Sequence, residues 1–135
     1  MKSKNIEKIL KKSKTIAVVG MSPNSSRISH QIGVYLHNAG YNVIPVYPGV
    51  DNVAELPAYS SLEEIPGHID IVNVFRRPEF VMDVAQSVVE IGADVLWLQE
   101  GIINLGAKEF AEAHGISVVM DRCIMVDHKF LPQAS

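Results

Sequence analysis

Cysteine is nearly absent from this chain, its charge is balanced, and no apolar run is long. A single cysteine, Cys123, among 135 residues excludes an internal disulfide framework and any cysteine-rich zinc or iron–sulfur centre. The histidines, at 30, 37, 68, 114 and 128, have no metal-ligand spacing such as HExxH. Glu63 and Glu64 are adjacent, so they point in different directions on a helix. Neither a metal site nor a catalytic set is expected. Net charge is −3 with histidine neutral, and the one extended basic segment is the N-terminal KSKNIEKILKKSK. The broad basic footprint that nucleic acid requires is missing. No stretch approaches the roughly 18 apolar residues of a membrane span, and the N-terminus lacks the apolar core of a signal peptide. The expectation is a cytoplasmic protein that binds neither nucleic acid nor membrane.

What the chain does have is an apolar content of 47%, enough for one core in one domain. Its organising stretch is KTIAVVGMSPNSSR, residues 14–27. Thr15 to Gly20 are small or apolar and uncharged, as in a strand covered on both faces of a parallel sheet. Gly20, Ser22 and Pro23 then break the chain. Asn24, Ser25 or Ser26 can cap a helix that runs from Arg27 to Asn38, with Ile28, Ile32, Tyr35 and Leu36 at helical spacing. A strand, a tight turn and a helix N-terminus together present backbone donors and a favourable dipole to an anion.

The pattern then repeats. Asn42 to Tyr47 is a second strand, and Pro45 within it marks an edge or a strand end. A short strand is expected near Leu56 to Tyr59, followed by a short helix started by Ser60 and Ser61. Asp70 to Phe75 is a buried strand, and Glu79 to Ile91 is an amphipathic helix with Phe80, Val81, Val84, Ala85, Val88 and Ile91 on one broad face. Strand 94–98, helix 104–114 and strand 116–120 complete the chain, with Asp121 and Cys123 forming or leaving the last strand. Ile6, Ile9 and Leu10 place a docking helix before the first strand. Strands alternating with helices indicate an α/β, doubly wound, Rossmann-like parallel sheet, with strand order 3-2-1-4-5-6 expected. The first and fourth strands diverge at the switch point, so Gly20–Arg27 and Phe75–Pro78 should flank one crevice.

Several familiar chemistries fail at named positions. A dinucleotide fingerprint needs glycines where Ser22 and Ser25 stand, and an acid at the end of the second strand, where Val46, Tyr47 and Pro48 stand. There is no GxxxxGK[ST] loop. The candidates that remain are Ser22 as a phosphate donor, Arg27 at the helix start, and the pair Arg76 and Arg77 directly after a buried strand, where guanidinium groups suit phosphate or a purine face. Phe75 could stack on a base, but a phenylalanine at a strand end is more often core, and Trp97 within VLWL reads as core more strongly still.

Six segments in order carry a resemblance: VVGMS at 18–22, GYNVIPVYP at 40–48, YSSLEEIP at 59–66, DIVNVFRR at 70–77, WLQEGIIN at 97–104 and DRCIMVDH at 121–128. The chain resembles the small stand-alone coenzyme A-binding proteins, similar in fold to the CoA-binding N-terminal domain of the succinyl-CoA synthetase alpha subunit. The resemblance covers about 15–131 and implies a CoA-binding domain there, with the helical extension at 1–14 before it. It also implies a ligand site in which Gly20, Met21, Ser22 and Arg27 hold phosphates and Tyr47 and Pro48 border the adenosine. Phe75, Arg76 and Arg77 would line the opposite wall, and Gln99 to Ile102, including Gly101, would approach the pantetheine arm. Tyr47 stands where the family commonly has Asn. The synthetase's phosphorylated-histidine domain has no counterpart here.

The reading is therefore non-catalytic binding of coenzyme A or a short acyl-CoA. Two alternatives remain open: an enzyme acting on an acyl-CoA or nucleotide with a partner, and a regulatory protein-interaction subunit. A homodimer through the outer helices or the sheet edge is a further expectation; whether Cys123 forms a disulfide with the CoA thiol is left open by the sequence.

Overall fold

The computed structural model describes residues 2–132. Helix α1 (Ser3–Lys12) leads into β1 (Thr15–Val19), α2 (Ile28–Asn38) and β2 (Asn42–Val46). A two-strand hairpin, β3 (Asn52–Val53) and β4 (Leu56–Pro57), precedes β5 (Ile71–Val74), α3 (Val81–Ile91) and β6 (Val95–Leu98). Helix α4 (Leu105–Ala113), β7 (Ser117–Met120) and α5 (Ile124–Lys129) follow. The main sheet is parallel, five-stranded and ordered β2-β1-β5-β6-β7.

Alternation along the strands sorts the core into two layers. Ile16, Val18, Ile71, Val95, Trp97 and Val119 pack with Ile6, Ile9 and Leu10 of α1, Ile32 and Leu36 of α2 and Ile124 of α5. Ala17, Val19, Val72, Val74, Leu96 and Leu98 pack on the other side with Val81, Ala85 and Val88 of α3 and Ala107 and Ala111 of α4. The sheet is doubly wound and Rossmann-like, as the spacing of elements predicts. Helix α1 is part of the first of these cores.

Strand order departs from the expected 3-2-1-4-5-6. The segment expected to add a strand beyond β2 folds instead into the β3–β4 hairpin, whose turn carries Ala54 and Glu55 at φ 51° and 65°. Only one parallel bridge, Val46 with Tyr59, survives at that edge. Pro57 limits what this segment can pair. The same edge resolves Pro45: its carbonyl accepts from Tyr59 N–H at 3.0 Å, on the outer side of β2. A residue's N–H and C=O share one side of a strand, so the donor proline lacks would also have faced outward, where the loss is least costly.

Three local readings also change. Asn24, Ser25 and Ser26 do not cap α2; its N-cap is Arg27, and Asn24 Oδ1 instead accepts from Ser26 N–H at 3.0 Å. Phe80 belongs to a short 3₁₀ turn, Pro78–Phe80, and is 40% exposed instead of lying in the core. The segment after Cys123, to which the sequence assigns no element, is helix α5.

Candidate functional site

Counting only the sheet's own strands, the order is 2-1-3-4-5, which puts the switch point between β1 and β5. Gly20 follows β1 there at φ 87°, and its N–H donates to Val46 O at 2.9 Å. Beside it, Phe75 N–H donates to Val19 O at 2.8 Å. A Cβ on Gly20 would collide with the backbone carbonyl of Phe75. Glycine is needed here both for the left-handed turn and for the close approach of two chains.

A cavity of about 550 Å³ opens at this point, within the usual range for small-molecule clefts. Val19 and Val46 form its floor, with Gly20, Tyr47 and Pro48 at the strand ends. One wall is Ser60 to Glu63, and the other is Arg76 with Phe80, Asp83, Val84 and Ser87. The Arg76 guanidinium carbon lies 4.7 Å from the centre of the Phe80 ring, a cation–π contact.

The residues singled out in the sequence divide into several groups. Gly20, Tyr47, Pro48 and Arg76 line the cavity. Ser22 and Arg27 lie on the loop between Gly20 and α2, Ser22 half-buried and Arg27 exposed. Ser22 N–H donates to Ser29 Oγ at 3.1 Å and Ser22 Oγ accepts from Asn24 N–H at 3.0 Å, while His30 Nδ1–H donates to the Ser22 carbonyl at 2.8 Å. The loop is thus held by its own side chains and by Ser29 and His30 of α2, and the Ser22 hydroxyl proton stays free to donate. Met21 is fully buried, its thioether occupying the space a Cβ on Gly33 would fill. Only its backbone can face a ligand.

Phe75 is half-buried and packs into the α1/α2/α5 core, so the phenylalanine in the cavity is Phe80, alongside Tyr47. Arg77 is exposed outside the cavity lining. Gln99 is 6% exposed and turned inward: its Oε1 accepts from Asn73 Nδ2 at 3.2 Å and from Ile124 N–H at 3.3 Å. Gly101 N–H donates to Asp121 Oδ1 at 2.7 Å, and Asp121 itself takes φ 61°, a conformation aspartate tolerates better than most residues. Ile102 is half-buried against the α3/α4 core. The loops after β6 and β7 are therefore tied to each other.

Sequence reasoning missed Ser60–Glu63, Phe80, Asp83, Val84 and Ser87 as cavity walls. The last four were legible: spacings of 80, 83, 84 and 87 form one helical stripe beside the buried stripe of Val81, Ala85 and Val88.

Residues 14–129 match the sequence model of the CoA binding domain family. This chain belongs to that family. The CoA-binding domain is 46% identical over 123 residues to the uncharacterised protein YneT of Bacillus subtilis strain 168, with 91% of each chain covered. It is 30% identical over 123 residues to an ADP-forming acetate–CoA ligase of Archaeoglobus fulgidus, covering 82% of this chain but 18% of the ligase. Among solved structures, a hypothetical protein from Pyrococcus horikoshii OT3 superposes with TM-score 0.94 at 34% identity, covering 97% of this chain and 92% of that one. A Thermus thermophilus protein superposes with TM-score 0.92 at 36% identity, covering 98% and 100%. The chain is thus related to the CoA-binding part of a larger ligase. Among the described residues, no helix is long and apolar enough to cross a membrane.

Proposed function

We propose that this domain binds coenzyme A or a short acyl-CoA in the switch-point cavity, without chemistry of its own. The observation that carries this reading is the convergence, in a chain of this family, of the Gly20 turn, Tyr47, Pro48 and Arg76 on one cleft at the switch point. Phosphates of the ligand lie over Gly20 to Ser22, where the Ser22 hydroxyl and the start of α2 favour negative charge. Arg27, placed at a helix start where a cation is otherwise disfavoured, is compensated by that charge. Arg76 contributes a charge-assisted bond, and Arg77 a more distant field.

The adenosine sits between Tyr47, Pro48 and the exposed ring of Phe80, which takes the stacking role that the sequence suggests for Phe75. Asp83 and Glu63 supply acceptors for an amine or a ribose hydroxyl. Gly101 and Ile102 guide the pantetheine from beyond the cavity, with Gln99 supporting them from beneath.

Calorimetry on ligand-stripped protein with CoA, acetyl-CoA, NAD, NADP and ATP tests the reading. Saturable preference for CoA is expected, and Arg76→Ala should weaken it about tenfold, which is about 1.4 kcal/mol. Equal binding of all five ligands, or an Arg76→Ala variant with unchanged CoA affinity, would overturn it. The similarity to a segment covering 18% of a ligase favours a second role, in which the domain presents its CoA to a separate catalytic partner. On that account the isolated chain shows no turnover of acyl-CoA.

A further inference from the structure

The opposite end of the sheet carries a second cluster that the cavity does not use. Asp70 immediately precedes β5 and Asp94 immediately precedes β6, and the two strands pair Ile71 with Val95, so the two carboxylates come side by side. His68 reaches them from the turn before β5. Its Nε2 lies 3.0 Å from Asp94 Oδ2 and 3.7 Å from Asp70 Oδ1. The ligating atoms of all three residues lie within 4.8 Å of one another.

We propose that His68, Asp70 and Asp94 form a binding site for a divalent transition-metal cation of the zinc class. Zinc bonds to imidazole nitrogen and carboxylate oxygen at about 2.0–2.1 Å, so ligand atoms around a tetrahedral ion stand about 3.3 Å apart. The two short separations bracket that value. Asp70 is the fixed member: its Oδ2 accepts from the backbone N–H groups of Lys14 and Thr15, each at 2.9 Å, which leaves Oδ1 for the ion. His68 and Asp94 have side chains 54% and 51% exposed, so both can rotate to close the remaining distance.

Imidazole selects zinc, cobalt or nickel over magnesium and calcium, and two carboxylates balance the charge of a divalent ion. Three protein ligands leave a fourth position for water. An ion here would cross-link the starts of β5 and β6 and, through the Asp70 hydrogen bonds, β1. No spacing in the sequence announces such a site, because its ligands come from a turn and two strand starts. The rival account is a histidine shared between two aspartates with no ion.

The test uses the full chain freed of metal, titrated with zinc and with cobalt while unfolding temperature and heat are followed. One equivalent is expected to bind, to raise the unfolding temperature, and to give cobalt a visible d–d absorption, whereas magnesium does neither. His68→Ala and Asp94→Asn should each weaken zinc binding more than about tenfold, while His114→Ala, on the surface elsewhere, leaves it unchanged. Both informative side chains are exposed, so these variants fold. Absence of saturable zinc binding, or binding that survives both His68→Ala and Asp94→Asn, would overturn the proposal.

Discussion

Replacing Gly20 by alanine should lower stability by about 3 kcal/mol and remove ligand binding together. Left-handed backbone costs an L-residue about 1–2 kcal/mol, and Gly20 sits at φ 87°. The added Cβ also strikes a backbone atom, the Phe75 carbonyl oxygen, which cannot rotate aside as a side chain could. Relief requires the ends of β1 and β5 to part, which strains the bond from Phe75 N–H to Val19 O and adds about 1 kcal/mol. Since those two ends frame the switch point, any relaxation that rescues the fold distorts the cavity. Urea unfolding should show a lower midpoint with the same slope. A variant with wild-type stability and wild-type CoA affinity would show that the close approach at Gly20 does not matter.

Gln99→Leu should also be severe, and through stability instead of affinity. The Gln99 amide oxygen is the shared acceptor for Asn73 Nδ2 and Ile124 N–H. Leucine fills the space but leaves both donors unpaired in the core, at about 1–3 kcal/mol each. Asn73 already has an unpartnered Oδ1 and is fully buried, so the single change leaves its whole amide without a bond. The double variant Asn73→Leu with Gln99→Leu removes both halves of the polar pair, leaving only the Ile124 donor. It should be more stable than Gln99→Leu alone, a non-additivity that a double-mutant cycle measures. If Gln99→Leu unfolds like the wild type but loses CoA, then Gln99 contacts the ligand directly and its inward orientation is irrelevant to function.

These two residues show where the sequence is readable. The uncharged run at Thr15–Gly20 identifies β1 because both sheet faces are covered, and Gly20 identifies itself because a strand that stops at glycine before a polar turn must bend sharply. Helical periodicity locates α2, α3 and α4 for the same reason: one face of each is buried. Gln99 is harder, since a polar residue just past a buried strand can face a ligand as easily as an internal acceptor, and only the positions of Asn73 and Ile124, 26 and 25 residues away in the chain, decide between them.

The remaining differences share this origin. Ser60–Glu63 become a cavity wall because the β3–β4 hairpin carries them back to the end of β2, and the sixth strand fails because Asn52–Pro57 pairs with itself. Helix α5 has six residues and no side-chain cap bond, so it leaves almost no local mark. Phe75 and Phe80 exchange their expected places because alternation sends Phe75 to the side of Asn73, away from α3, whereas Phe80 precedes the first turn of α3 on the cavity side.

The central claim is that CoA occupies the switch-point cavity, and backbone NMR during titration of the intact chain with CoA tests it most directly. The account predicts saturable shifts concentrated at Gly20–Ser22, Tyr47–Pro48, Ser60–Glu63 and along the Phe80, Asp83 and Ser87 stripe. Shifts centred elsewhere, or a folded protein whose spectrum CoA does not change, would contradict it.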